Sequence, residues 1–292
     1  MSGPLLSVIV CSYKVRELLR DCLNSIYQAG GIDAGELEVI VVDNASGDGS
    51  VEMVHREFPT VRLIANEDNR GFSKANNQAL RIARGRYLLL LNPDMVVLDD
   101  ALALLTDFMD EHPAAGVCGG DGLSPELISQ PQFTRAIPTP LVALYHFLGL
   151  DRFFPKSRRF GRYNYTFADR TKILEVEAVS GSCMLVRRTA MEQVGLLDER
   201  FPMYAEDLDW CLRFSQADWK LYYVPAARFV HHHGQSSRKN PVWSSKQFYL
   251  TMHSFYAKHF RHKYPAIVNA LVGLGVLAGL GLKLLAVYLK IR

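Results

Sequence analysis

The 292-residue chain is 49% hydrophobic and 22% charged, a globular composition that excludes an extended disordered chain. Its formal net charge of +3 gives no bulk electrostatic reason to expect a nucleic-acid partner. Five scattered cysteines without a C-x-x-C pair read as reduced thiols in a cytosolic setting and argue against a disulfide framework or a zinc site.

The length allows one large domain or two small ones. No signal peptide is expected, because the apolar run from Leu5 to Cys11 is too short for a secretory core and reads as a strand. The β-branched stretch Ser7 to Cys11 runs out at Ser12 and Tyr13. Apolar residues at Leu18, Leu19, Cys22, Leu23, Ile26 and Tyr27 then mark an amphipathic helix from Val15 to Ala29, stopped by Gly30 and Gly31. Val39 to Val42 is a second buried strand. It runs into a polar, glycine-bearing loop, Asp43 to Ser50, and a short helix to about Glu57. A third strand, Val61 to Ala65, leads to Asn69, Arg70, Gly71 and Phe72, and then to a helix from about Ser73 to Ala83 that carries Lys74.

Tyr87 to Leu91 is apolar throughout, too short for a typical helix and suited to the middle of a parallel sheet. Pro93 cannot donate to a ladder and ends the strand. Asp94 follows at the carboxyl end, where open α/β sheets place their ligands. A carboxylate there is a natural ligand for a hard divalent cation carrying a nucleotide diphosphate. Taken alone, Asn92-Pro93-Asp94 reads more readily as an ordinary turn. A helix from about Asp99 to Glu111 closes the first half. Strand and helix alternating at this rhythm predict βαβ units and an α/β class. A dinucleotide-binding dehydrogenase is disfavoured, because no G-x-G-x-x-G follows any strand. Asp43 and Asp94, after the second and fourth strands, would instead bracket a nucleotide with a metal on its phosphates.

Asp121 to Glu175 is less regular, proline-bearing and mostly basic in its charges. Within it Leu141 to Phe154 is apolar and aromatic and leads into Lys156, Arg158 and Arg159. Two readings stay open for it: a segment lying on an anionic membrane surface, or a core helix followed by a solvated loop. Strand-like pattern resumes from Val176 to Arg187, interrupted by Ser180-Gly181-Ser182. Glu206, Asp207 and Asp209 then open an apolar-periodic helix. The helix dipole favours acids there, but three acids in four positions exceed what capping needs, and one facing a cleft would serve as a general base. At ~100° per residue Asp207 and Asp209 point to different sides, and Asp209 pairs with Arg213 at i, i+4. Lys220 to Val224 and Arg228 to His231 read as two short strands separated by Pro225 and Ala226. Of His231, His232 and His233, only alternate residues can share a face.

Together these stretches resemble family 2 of the glycosyltransferases, especially its bacterial rhamnosyltransferase-like branch. The resemblance runs from about Leu5 to Ser237. Its motifs are Val42-Asp43-Asn44-x-Ser46-x-Asp48-Gly49-Ser50, Asn69-x-Gly71-Phe72, Asn92-Pro93-Asp94, Gly195-x-x-Asp198-Glu199-x-Phe201, Glu206-Asp207-x-Asp209-Trp210-x-x-Arg213 and His231-x-x-Gly234-x-Ser236. Each is a weak signal alone; six in order are specific. The resemblance implies a GT-A fold, that is, a Rossmann-like and mostly parallel central sheet with flanking helices. It also implies a nucleotide-sugar donor, Mg²⁺ or Mn²⁺, and inversion at the anomeric carbon. By family pattern Asp207 is the catalytic base, with Glu206 beside it as the alternative. Asp94 and His231 are the metal residues. Ser12, Tyr13, Asp43, Asn69, Arg70, Gly71, Lys74 and Asn92 are the donor-binding set. Asn92 stands where the family has its first motif acid, and an amide is the weaker ligand.

From Ala266 to Leu289 the chain is apolar but for Asn269 and Lys283, close to the ~20 residues that span a bilayer. Lys258, His259, Arg261, His262, Lys263 and Tyr264 precede it as a basic, aromatic shoulder of cytoplasmic type. The division expected is a catalytic domain over residues 1–262 and a membrane-associating segment over 263–292. That places the protein at the cytoplasmic face of a bacterial inner membrane. The function expected is transfer from a nucleotide sugar, leaning to dTDP-rhamnose, to a lipid-linked saccharide in cell-surface polysaccharide synthesis. UDP-hexoses and UDP-galactofuranose are the alternative donors. The rival classes are a nucleotidyltransferase, which would not need the acids at 206, 207 and 209, and a catalytically silent anchored binding protein.

Overall fold

The structure, a computed structural model, describes residues 3–232 and 241–291, with side chains through Leu289. Its first half follows the sequence pattern closely. Strands β1 (Leu6–Ser12), β2 (Leu37–Asp43), β3 (Arg62–Ala65) and β4 (Tyr87–Leu91) alternate with helices α1 (Arg16–Gln28), α2 (Ser50–Glu57) and α3 (Gly71–Ile82). These strands lie parallel in the order β3-β2-β1-β4. Every residue of β4 is buried, as its unbroken apolar run requires.

Beyond β4 the sheet turns mixed. It continues through β10 (Cys183–Arg187), β6 (Ala115–Leu123), β11 (Lys220–His231) and β5 (Met95–Val97). Strand β10 runs antiparallel to both β4 and β6, while β6 and β11 are parallel. Helix α4 (Ala101–Glu111) joins β5 to β6. The parallel character therefore holds for the N-terminal half, and the other half reverses direction at β10. The two short strands expected at Lys220 to Val224 and Arg228 to His231 are one strand, β11. Pro225 is tolerated because the pairing with β6 slips between Val224 and Arg228, a bulge that leaves no ladder bond for proline to miss.

Side-chain alternation on β1, β2 and β4 sends residues to both faces. Val8, Val10, Val41 and Leu89 pack with Leu19 and Leu23 of α1, Met53 of α2 and Leu105 of α4. Ile9, Ile40, Leu88 and Leu90 pack on the opposite face with Ala75 and Ala79 of α3. The same layer holds Leu208 and Phe214 of α8 (Glu206–Gln216) and Phe255 of α9 (Pro241–His259). Truncating one such leucine to alanine costs about 2–5 kcal/mol.

The irregular middle folds into β7 (Thr134–Arg135), α5 (Pro140–Phe147), α6 (Leu150–Phe153), β8 (Leu174–Glu175) and β9 (Ala178–Val179), followed by α7 (Arg188–Val194) after β10. Leu141 to Phe154 is not a core helix: Val142 is the one buried residue of α5. The run from Val176 to Arg187 divides into β9 and β10 around the Ser180–Ser182 turn. The tail is a single helix, α10 (Ala266–Ile291). Its 24 residues from Ala266 to Leu289 are long and apolar enough to cross a membrane, and only 6% of its most apolar window is buried. Gly279 lets it lie against α9, since a Cβ there would stand 2.6 Å from the Tyr249 ring. Of the expected histidine motif, His233, Gly234 and Ser236 lie outside the described residues.

Candidate active site

The carboxyl ends of the parallel strands gather polar groups in one row. Ser12 and Asp43 are paired in register at the ends of β1 and β2, and both are buried. One Asp43 oxygen accepts the Ser46 amide at 2.9 Å, fixing the loop after β2. The other oxygen, and the Ser12 hydroxyl, are buried with no hydrogen-bond partner. Orphaned buried polar atoms are costly. Here two of them end neighbouring parallel strands, the place where open α/β sheets generally bind ligands, and a nucleoside's own donors would satisfy them.

The next strand end carries Asn92 and Asp94. His231, the last residue of β11, brings its Nε2 to 3.2 Å from Asp94 Oδ1. The edge of the Phe133 ring meets the imidazole, with centroids 5.5 Å apart. A carboxylate oxygen and an imidazole nitrogen suit Mg²⁺ or Mn²⁺. Among the described residues no group of three or more His, Cys, Asp or Glu gathers for a metal. The pair therefore fits a cation shared with a diphosphate, not one caged by protein alone.

The turn Ser180–Ser182 connects this end of the sheet to α8. The Ser182 carbonyl accepts the Asn92 amide at 2.9 Å, and the neighbouring Gly181 amide donates to Asp207 Oδ2 at 3.2 Å. The Ser180 amide donates to the Phe133 carbonyl at 2.9 Å. One three-residue turn thus joins Asn92, two residues before Asp94, to Asp207, and these residues border the mouth of the candidate site. Phe72 also borders this turn, since a Cβ on Gly181 would stand 3.4 Å from Asp207 Cβ and 3.7 Å from the Phe72 ring.

Asp207 and Glu206 open α8 and both are buried. They follow Tyr204 and Ala205, two consecutive non-glycine residues at φ +68° and +63°. Such backbone is strained by about 1–3 kcal/mol per residue and persists where surrounding structure enforces it. Asp207 Oδ2 also accepts Arg135 Nη2, a side chain delivered by β7. Glu206 is unlike it: its Oε2 has no partner, and burial together with the Asp207 charge pushes its carboxyl up to about 8.

The remaining expected residues separate into two groups. Asn69 is exposed and acts as a brace, its side-chain oxygen accepting from Asn44 Nδ2 at 3.1 Å and from the Gly71 amide at 3.0 Å. Gly71 has φ +76° and would bring a Cβ within 2.8 Å of the Pro202 carbonyl, so no other residue fits. Tyr13 is half-buried at the β1 exit. Arg70 pairs with Asp68 at 3.1 Å, and Lys74 is exposed with its charge acting on Glu199. The side chains of Arg70 and Lys74 are thus engaged with Asp68 and Glu199, and their donor-binding role rests on the resemblance.

Asp209 is structural. It is fully buried and accepts from Arg213 Nε at 2.9 Å, from His259 Nε2 at 2.6 Å and from Lys258 Nζ. Arg213 also holds the Val194 and Leu196 carbonyls, and Trp210 Nε1 donates to Gly195 at 2.8 Å. Half of the motif around Asp207 therefore serves to seat α8. Lys258 and His259 correct the expected basic shoulder: both turn inward to Asp209, and Lys258 also bonds Asp198 at 2.7 Å. Arg135 and Gly181 are site residues that the sequence reading did not single out.

A family profile described as Glycosyl transferase family 2 matches residues 7–195. The N-acetylglucosaminyl-diphospho-decaprenol L-rhamnosyltransferase of Mycobacterium tuberculosis is 31% identical over 222 residues, 70% of this chain and 70% of that one. The low-salt glycan biosynthesis hexosyltransferase Agl10 of Haloferax volcanii is 24% identical over 251 residues, 84% of this chain and 72% of that one. Among solved structures, the mannosyltransferase PcManGT from Pyrobaculum calidifontis, in complex with GDP-Man and Mn²⁺, superposes with a TM-score of 0.61 at 19% identity. That superposition covers 97% of this chain and 75% of the other, a likeness of fold.

Proposed function

The chain belongs to glycosyl transferase family 2, and we propose that it moves a hexosyl group, L-rhamnosyl from dTDP-rhamnose by preference, onto a lipid-linked saccharide with inversion at the anomeric carbon. The observation that carries this reading is the Ser180–Ser182 turn, which holds Asn92, beside the Asp94–His231 pair, and Asp207 at one mouth. An inverting transfer needs a base on the acceptor side and charge neutralisation on the leaving diphosphate, and the contacts of this one turn support assigning these roles to Asp207 and to Asp94 with His231.

Asp43 and Ser12 receive the nucleoside with their unpaired oxygens. Asp94 and His231 would hold Mg²⁺ or Mn²⁺, which when bound supplies Lewis-acid stabilisation to the departing diphosphate. Asp207 takes the acceptor hydroxyl proton as that oxygen attacks the anomeric carbon. Arg135 and the Gly181 amide fix the rotamer of Asp207 from one side. The preference for an L-rhamnosyl group follows the name of the mycobacterial relative, which also describes a decaprenyl-diphosphate-linked acceptor, and the dTDP carrier follows the family resemblance. The apolar helix α10 supports association with the membrane in which such an acceptor resides, at its cytoplasmic face.

The test is a panel of nucleotide sugars offered to the full chain with Mn²⁺ and a polyprenyl-diphosphate-linked saccharide, with glycosylated lipid as the readout. Transfer from dTDP-rhamnose above all others is expected. Transfer from a UDP-hexose or UDP-galactofuranose alone would overturn the donor assignment. Release of sugar 1-phosphate in place of nucleoside diphosphate would overturn the reaction class.

A further inference from the structure

Helices α5 and α6 turn six large apolar side chains to solvent. Leu141, Leu144, Phe147, Leu148, Phe153 and Phe154 are each between 48% and 77% exposed. On α5, ~100° per residue places Leu141, Leu144, Phe147 and Leu148 within one arc of ~120°, with Val142 and His146 on the far side. That far side faces the protein. Val142 is buried, and the His146 ring lies 4.3 Å from the Tyr163 ring, centroid to centroid. The buried Asp151 of α6 accepts from His146 Nδ1 at 2.9 Å and from Asn164 Nδ2 at 3.3 Å. The two helices are thus a braced platform, and its outward face is apolar by construction.

Charge singles out what covers that face. Between Pro140 and Phe160 the basic residues Arg152, Lys156, Arg158 and Arg159 are all exposed, whereas the one acid, Asp151, is buried. Within this stretch every exposed formal charge is positive, and the nearby acids Glu175 and Glu177 line a cleft on the Arg158 side. A second copy seated on it by a two-fold axis would bring like charges together. An anionic lipid surface instead matches both features, taking the rings among its acyl chains and the cations among its headgroups.

We propose that the outer face of α5 and α6 is a second membrane contact, seated in an anionic bilayer surface independently of α10. The platform adjoins the mouth. The Ala136 amide donates to the Tyr163 carbonyl at 2.9 Å, and Ala136 follows Arg135, the partner of Asp207. Resting on the reading of a lipid-linked acceptor, this places the acceptor's entry beside the bilayer at α5.

The test uses the full chain on vesicles carrying brominated acyl chains, with Phe153→Trp as the probe and Ile267→Trp on α10 as the reference. Quenching of the added tryptophan at both positions is expected. At residue 153 it should be stronger on phosphatidylglycerol than on phosphatidylcholine, and lost on adding Arg152→Gln and Lys156→Gln. Quenching at 267 without quenching at 153 would overturn the proposal. So would a dimer in solution that Phe147→Ser with Phe153→Ser converts to monomer. The same double variant should raise the KM for vesicle-embedded acceptor several-fold and leave the KM for nucleotide sugar unchanged. An unchanged acceptor KM would overturn the link to acceptor entry. Quenching at 153 in a protein that glycosylates no lipid-linked acceptor would uphold the contact and overturn the acceptor reading.

Discussion

Arg135 and Asp207, 72 residues apart in sequence, form an ion pair at the start of α8 in which Arg135 Nη2 donates to Asp207 Oδ2. Both side chains are largely buried, at 20% and 9% exposure. The pair sets the orientation of the carboxylate proposed as general base, and the site's acid–base behaviour follows from what surrounds it.

Asp207→Asn keeps the side-chain shape and removes the proton acceptor. Turnover should fall ~10²–10⁴-fold with donor affinity intact. Steady-state turnover and calorimetric donor binding, measured separately on Asp207→Asn and Glu206→Gln, check this. Near-normal turnover in the first with collapse in the second would move the base to Glu206.

Glu206 gives the fold a pH dependence of its own. Its carboxyl rises from 4.5 to about 8 through burial and the neighbouring Asp207 charge. Across that window the native chain holds a proton that the unfolded chain has released. The stability contributed is therefore full below the unfolded value of 4.5 and lost as pH rises through about 8. Unfolding free energy should decline over this range by up to about 1.4 kcal/mol per pH unit from this group. In Glu206→Gln that part of the decline should vanish. Asp207→Asn should shrink it by removing the like charge. Urea unfolding at several pH values across the window checks both.

Asp94→Ala should abolish transfer and greatly weaken donor binding in Mg²⁺ or Mn²⁺. His231→Ala, which removes one of two donors 3.2 Å apart, should give the smaller loss. Donor titrations with and without the cation distinguish the two variants. Full transfer in EDTA would sink the metal assignment, and total loss in His232→Ala alone would shift it to the neighbouring histidine.

Deleting residues 266–292 should remove the α10 anchor, leaving only the salt-sensitive contact of α5 and α6 with anionic membranes, and should preserve donor hydrolysis and a cooperative thermal transition. The reason is that α9 stays pinned to the core through Lys258, His259 and Phe255. Asp209→Asn should cost about 3–5 kcal/mol, the scale of breaking a buried ion pair by removing one partner. Flotation with vesicles and thermal unfolding of the two variants test this. A truncated chain without a cooperative transition would make α10 part of the core.

The sequence was most legible where local pattern and chemistry coincide. β1 to β4 announce themselves as short apolar runs, and the polar residues that end them, Ser12, Asp43, Asn92 and Asp94, fall together because parallel strands share an exit. The Asp209–Arg213 pair was readable because it spans one helical turn. Arg135 was not, since nothing in a 72-residue separation signals which of many arginines will meet Asp207. Lys258 and His259 misled for a related reason. Next to an apolar helix a basic run reads as a membrane shoulder, and only tertiary packing on Asp209 turns two of its members inward. Pro225 suggested a break in β11 because a bulge that spares the ladder is set by the partner strand, not by proline's neighbours.

The seating of His259 on Asp209 fixes a length as well as a contact. Only Phe260 to Pro265 lie between the end of α9 and the start of α10. Asn269 folds back over this link, its amide donating to the Tyr264 carbonyl at 3.1 Å and the Arg261 carbonyl at 3.2 Å. There is little slack between the helix that carries Asp207 and the one proposed to enter the bilayer. With α10 so inserted, the base works at a set height above the lipid, like a tool on a short rigid arm. An acceptor hydroxyl would then be chosen by how many sugar units separate it from its lipid as much as by which sugar bears it.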